Sequence, residues 1–192
     1  MIARLRFLLQ LTHAHRIARR YFVTNGFDGA LTMMGLTMGF YTAGTEVATP
    51  VVLSACLGAA VALAVSGLAS AYVSESAERE KELRELEQAV VGDLQDTAHG
   101  RAARTVPVLI ATVNGFAPLV IALFIILPLW LEQAGVRLPL TGLESAIVLA
   151  FVSLFLLGAF LGTVSGQFWL WSALRTLFVA LATGAIIFLV NG

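Results

Sequence analysis

Five apolar runs, at 21–42, 50–73, 106–131, 143–164 and 171–190, leave this chain few ways to fold. At a helical rise of 1.5 Å per residue, roughly twenty residues cover the ~30 Å hydrocarbon core of a bilayer, and each run reaches that length. No water is present there to satisfy backbone polar groups, so spanning segments are helices or closed barrels, and continuous apolar runs of this length read as helices. Composition agrees: 58% of residues are hydrophobic and 12% are charged, against about 25% charged in soluble domains. The expectation is an all-α integral membrane bundle of five transmembrane helices embedded in a lipid bilayer. Formal net charge is zero, which gives no reason to expect a nucleic-acid partner.

The runs divide the chain into four parts: 1–20, two spans over 21–73, a polar insert over 74–105, and three spans over 106–192. The first part, MIARLRFLLQLTHAHRIARR, has a short apolar stretch followed by basic residues instead of a small-residue cleavage site. It reads as a helix lying at the membrane surface and not as a signal peptide. The insert, rich in glutamate, reads as an acidic helix continuing out of the second span.

Orientation follows from lysine and arginine. Arg4, Arg6, Arg16, Arg19 and Arg20 precede the first span, Arg79, Lys81, Arg84, Arg101 and Arg104 lie in the insert, and Arg175 opens the fifth span. Eleven of the twelve basic residues therefore share a side, leaving Arg137 on the other. The positive-inside rule makes that side cytoplasmic, with the N-terminus inside and the C-terminus outside a multi-pass cell-membrane protein. Trp130, Trp169 and Trp171 stand near span ends, as interfacial anchors do.

Small residues recur at helical spacing: Ser54, Gly58, Ala62, Ser66 and Ser70 in the second span, Gly35 and Gly39 in the first, and Gly158, Gly162 and Gly166 in the fourth. Such stripes let helix backbones approach closely, either within one protomer or between two. Pro107, Pro118 and Pro128 punctuate the third span, and Asn114 lies one turn before Pro118. Carbonyls freed by those prolines, with the Asn114 amide, line a cavity or accompany simple kinks. The lone Cys56 excludes an internal disulfide and a cysteine metal cluster, and inside an apolar run it reads as a small packing residue.

Asp28 is the residue that apolar spans do not explain. Asn25, Asp28, Thr32, Gly35, Gly39 and Thr42 share one face of the first span, within an arc of about 100°. An acid in that setting either pairs with an arginine or caps a helix near the headgroups, or it is a cation or proton site facing a bundle cavity. The insert carries a second set of acids. Glu75, Glu78, Glu82 and Glu85 fall within about 80° of one another on a helix, and Asp93 and Asp96 return to that arc if Gly92 does not break it. Leu83, Leu86, Val90 and Leu94 form a neighbouring apolar stripe fit to pack on a partner helix while the acids face a shared space. Carboxylates spaced i, i+3 and i+4 can ligate hard or borderline divalent cations. The same residues also make ordinary ion pairs, such as Glu75 with Arg79, on a solvated face.

The segment VTNGFDGALT resembles the first-span signature of the vacuolar iron transporter-like family, an Asn-Asp-Gly turn. Asp28 and Gly29 match it, and Phe27 replaces the asparagine. SGLASAYVSESAERE resembles the Ser-Met-Ala-Ala-Gly-Glu-Tyr-Val-Ser run of that family and its charged helix, and GTVSGQFWLWSALRTL resembles its Ser-Gly turn into a last span with a Leu-Arg pair, here Leu174 and Arg175. The likeness runs from about residue 18 to the end, in the order of a short prokaryotic-type member. It implies a homodimer that exports Fe²⁺ or Mn²⁺ from the cytoplasm in exchange for protons, with Glu75, Glu78, Glu82 and Glu85 collecting metal and Asp28 on the translocation route. The chain departs from the family in a shorter insert and at two pathway positions, where Gly67 stands for a methionine and Ala71 for a glutamate. Met34 and Met38 offer thioethers in the first span, or simply pack.

No enzyme is expected: His13, His15 and His99 make no i, i+4 ligand pair, and no phosphate loop or nucleophile elbow appears. No resident cofactor is implied, only a transported or bound divalent ion. The alternative function is a non-transporting membrane protein whose acidic helix senses metal or binds another protein.

Overall fold

A computed structural model describes residues 14–44 and 47–191. It contains five helices, α1 (Ala14–Thr42), α2 (Thr49–Val90), α3 (Ala98–Gln133), α4 (Gly142–Ser165) and α5 (Trp169–Asn191). The all-α expectation holds. Four of them, α2 to α5, are long and apolar enough to cross a membrane. Although α1 has 29 residues, about 43 Å at 1.5 Å per residue, its arginines, glycines, threonines, Asn25 and Asp28 dilute its apolar content. The surface helix expected over 1–20 lies largely outside the described residues; the described part, from Ala14 on, is the first turns of α1 and not a separate element.

The expected acidic helix over 74–105 is divided. The 42 residues of α2 carry the second span straight into the acidic sequence, and the helix stops at Val90. Val91 takes a left-handed φ of 51°, and the Gly92 N–H donates to the Glu87 carbonyl at 3.2 Å, the closing bond of a Schellman turn. Asp93 and Asp96 therefore leave the arc of the glutamates. The connection is pinned by side chains: Glu87 accepts from the Leu94 N–H, Asp93 from the Gln95 N–H, and Arg104 and Arg101 donate to the carbonyls of Gln95 and Asp96. Helix α3 then begins at Ala98, so Arg101 and Arg104 belong to it.

Two compact units share the helices. The first unit comprises the described part of Met1–Asn25 with Ala64–Ala117. Here Ile17 and Tyr21 of α1 pack against Ala102, Val106 and Ile110 of α3. Helices α2 and α3 approach at glycines: a Cβ on Gly115 would meet the Ala64 carbonyl oxygen at 2.7 Å, and one on Gly67 the Asn114 carbonyl oxygen at 3.1 Å. Pro118 has no N–H, so the Asn114 carbonyl lacks its usual helical donor. Asn114 itself is buried; its Nδ2 donates to the Gly67 carbonyl at 2.5 Å and its Oδ1 accepts from Asn25 Nδ2. These amide contacts form a polar clamp joining α1, α2 and α3.

The second unit comprises Gly26–Leu63 with Pro118–Gly192. Helices α4 and α5 pack against each other. A Cβ on Gly158 would collide with Thr176, and one on Gly162 would stand 2.7 Å from the Trp169 Cα. That stripe is therefore used within the protomer. Thr141 and Glu144 form a capping box at the start of α4, while Gly166, at a left-handed φ of 70°, ends it. On α1, Gly29 lies directly on α3: its Cβ would be 2.7 Å from the Pro118 oxygen and 2.8 Å from the Pro118 Cα. Met33, Met34 and Cys56 are fully buried, which bears out packing for Cys56 and Met34.

Candidate functional site

The first turns of α2 beyond its apolar run place Glu75, Arg79 and Leu83 on one buried face, since residues four apart stack along a helix. Glu75 and Arg79 are each 8% exposed. The Tyr21 hydroxyl of α1 donates to Glu75 Oε1 at 3.3 Å. Arg79 Nη2 stands 3.7 Å from Glu75 Oε2, and its Nη1 donates to Glu82 Oε2 at 2.6 Å. Arg79 Nε is buried without a hydrogen-bond partner among the described residues. The result is a linked row, Tyr21, Glu75, Arg79 and Glu82, in which one guanidinium bridges two carboxylates two helical turns apart.

The other two predicted ligands stand differently. Glu78 is exposed and makes no described ion pair, while Glu85 faces Lys81 at 3.9 Å with both side chains exposed. Helical spacing does keep the four glutamates on one arc, but the structure turns Glu75 inward, leaves Glu82 half-exposed and points Glu78 and Glu85 outward. Among the described residues, no three His, Cys, Asp or Glu side chains are gathered so that they could hold a metal ion. The apolar stripe expected beside the acids is also rearranged. Leu83 is buried, but Leu86 and Val90 are exposed, and Leu94 lies past the end of the helix.

Asp28 belongs to the second unit and the glutamates to the first. Its neighbour Gly29 is buried against α3, whereas Asp28 itself is exposed and makes no described hydrogen bond or ion pair. Eight residues, about 12 Å of helical rise, separate it from Arg20. No arginine pairs with it among the described residues. Its side chain is exposed on the single chain.

Two groups escaped sequence reasoning. The pairing of Tyr21 with Glu75 joins residues 54 apart, and nothing in either local pattern signals it. The joining of Asn25 to Asn114 was likewise invisible, although both had been singled out as polar residues in apolar runs. Arg79 by contrast was legible as the i+4 partner of Glu75.

Four long apolar helices, a polar-stitched packing core and an acidic helical extension define a multi-pass helical membrane protein. The chain is 25% identical over 175 residues to an uncharacterized protein of Methanocaldococcus jannaschii, an alignment covering 90% of this chain and 87% of that one. No protein-family model matches the chain, and no solved structure does.

Proposed function

We propose that this protein is a divalent-metal transporter that exports Fe²⁺ or Mn²⁺ from the cytoplasm while protons move the opposite way. The observation that carries the reading is Asp28, a carboxylate in the interior of α1, exposed on the single chain and without a described partner. Ionisable groups in membrane helices are costly and rare and mark ion and proton routes, and a carboxylate can hold a metal when ionised and a proton when the metal leaves. Helix α1 is the fifth span in this reading, its ~43 Å being ample for a bilayer core. The eleven basic residues on one side put the N-terminus and the acidic end of α2 in the cytoplasm and the C-terminus outside. Glu75, Glu78, Glu82 and Glu85 collect the ion there.

The protein works as a homodimer. Ser54, Gly58, Ala62, Ser66 and Ser70, the small-residue stripe of α2, are all uncovered in the single chain, and this supports helix-to-helix contact between protomers. Resemblance to the vacuolar iron transporter-like family supports the same reading, and the packing accounts for the two departures from it. Gly67 abuts the Asn114 carbonyl, so a methionine does not fit there without a shift of α3, and Ala71 is buried, where a larger glutamate would have to displace its neighbours.

A second reading is a non-transporting membrane protein that uses the end of α2 to sense metal or to dock another protein. It is favoured by the ion pairs of Arg79, Lys81 and Arg84 with the glutamates, and by exposed Leu86 and Val90 beside them. Uptake of radioactive Mn²⁺ or Fe²⁺ into proteoliposomes of known orientation, with and without a proton gradient, separates the two. Proton-linked flux is expected, abolished by Asp28→Asn and partly retained by Asp28→Glu. Absence of flux in the unaltered protein sinks the transporter reading, and normal flux through Asp28→Asn removes Asp28 from the route.

A further inference from the structure

Between the outer turns of α2 and the start of α3, within the first unit, lies a cleft of about 480 Å³, in the size range of small-molecule sites. The antiparallel register that sets Ala64 against Gly115 and Gly67 against Asn114 brings Ser76 level with Arg104 and Glu80 level with Gly100, and these last four line the cleft. Tyr72, also in its wall, closes one apolar run, and Arg104 stands two residues before the next, so the cleft opens at the edge of the apolar layer. The headgroup layer adds about 5–7 Å on each side of the hydrocarbon core, roughly one helical turn, and that depth takes in Ser76 and Arg104. The polar side chains there are largely unengaged. Arg104 gives one of its five N–H groups to the Gln95 carbonyl at 2.8 Å and has no carboxylate partner among the described residues. The Glu80 carboxylate accepts no described hydrogen bond, since Arg84 Nη2 stays 3.6 Å from its Oε1, beyond hydrogen-bond reach. The hydroxyls of Tyr72 and Ser76 make no described hydrogen bond either.

We propose that this cleft holds the headgroup of a zwitterionic phospholipid bearing a primary amine, its phosphate on Arg104 and its ammonium on Glu80. A guanidinium matches a phosphodiester through parallel N–H bonds, and the Ser76 and Tyr72 hydroxyls supply further donors at the membrane end. Glu80 lies one turn, about 6 Å, farther out than Ser76, and helical side chains lean toward the helix N-terminus, which on α2 is back toward the apolar run. The two-carbon arm of ethanolamine bridges that step. With one positive and one negative group in the wall, a zwitterion leaves neither unmatched, whereas a net anionic headgroup sets a second negative charge beside Glu80. A choline ammonium has no N–H for a carboxylate and is held by cages of aromatic rings, and Tyr72 is the one ring in this wall. Soluble phosphate esters share the phosphate and amine chemistry, but the surface below the cleft fits the lipid. Leu68 and Val65, four and seven residues before Tyr72 on the same helical face, are exposed and apolar, and acyl chains can lie along them.

The test uses the full chain in mild detergent, with native mass spectrometry counting bound lipid as phosphatidylethanolamine, phosphatidylcholine or phosphatidylglycerol of identical acyl chains is titrated in. The ethanolamine lipid is expected to bind roughly tenfold tighter than either of the others, the worth of one charge-assisted hydrogen bond. Glu80→Gln should abolish that preference and leave binding of the choline lipid unchanged. Arg104→Gln should weaken the ethanolamine lipid roughly tenfold, and Ala103→Leu, which fills the cleft without altering charge, should weaken it as well. Equal binding of the three lipids by the unaltered protein overturns the proposal, and so does an ethanolamine preference that survives Glu80→Gln or binding that Arg104→Gln leaves unchanged. Should Arg104→Gln or Ala103→Leu not fold, Glu80→Gln decides, because that carboxylate accepts no described hydrogen bond and its pair with Arg84 is exposed. Glycerophosphoethanolamine, the same headgroup without acyl chains, separates the two sources. As a competitor at equal concentration it should displace little of the lipid, and full displacement overturns the lipid assignment in favour of a soluble phosphate ester.

Discussion

Replacing glycine by alanine inside a helix ordinarily stabilises it by about 1 kcal/mol, because alanine has less backbone freedom to lose. On α1 this gain should survive at Gly39 and reverse at Gly29. A Cβ at Gly39 meets nothing within 4 Å, whereas one at Gly29 stands 2.7 Å from the Pro118 oxygen, 2.8 Å from its Cα and 3.1 Å from its Cβ. Two of those three atoms are backbone, so no side-chain rotation relieves them, and α1 and α3 must separate locally. Overpacking of this kind costs about 1–3 kcal/mol, which exceeds or matches the propensity gain, for an expected net loss of about 0–2 kcal/mol against a gain of up to ~1 kcal/mol for Gly39→Ala. The two variants should then differ by about 1–3 kcal/mol, or about 2–12 °C in Tm by the usual scaling for a chain of this size. Cys56 provides the assay: it is the chain's single cysteine and is fully buried, so a fluorogenic maleimide reports unfolding in detergent as the temperature is raised. A Gly29→Ala protein as stable as Gly39→Ala would refute the close approach of α1 to Pro118.

Further outcomes follow from other parts of the fold. Asn114→Leu removes both amide contacts of the polar clamp and should destabilise the protein by about 1–3 kcal/mol in the same thiol assay; no change would mean that Asn25 and Gly67 do not depend on it. Val91→Gly should stabilise by up to about 1 kcal/mol, because a β-branched residue at a φ of 51° is strained and the side chain is 91% exposed, and a loss of stability would argue against the left-handed turn. Single cysteines at Gln95 and Gln133, in a background lacking Cys56, should label from opposite sides of oriented vesicles; labelling from one side removes the proposed topology. In gentle detergent the protein should have the mass of two chains, and bulky Gly58→Leu on the uncovered α2 stripe should shift it toward one.

The membrane character of the chain was legible before any folding, because the length of an apolar run and the thickness of a bilayer are compared without knowing tertiary contacts. The apolar run at 143–164 also fell within a residue of the bounds of α4, Gly142–Ser165, because the caps at Thr141 with Glu144 and at Gly166 act locally. Helical periodicity put Glu75, Glu78, Glu82 and Glu85 on one arc, and that much is a property of the backbone screw. What periodicity lacked was a direction. Which edge of the arc turns inward depends on neighbours distant in sequence, and packing of α2 beside Tyr21 buried Glu75 and Arg79 while leaving Glu78 and Glu85 outside. The end of α2 depended on Val91 accepting a left-handed conformation, which residue preference alone argues against. Small-residue stripes showed the same division: spacing marked where helices can approach, but only the assembled chain spent Gly158 and Gly162 on α5 and left the α2 stripe bare. Local rules act within a few residues along one helix, whereas the choice of neighbour is made by shape, burial and hydrogen-bond satisfaction across several helices at once.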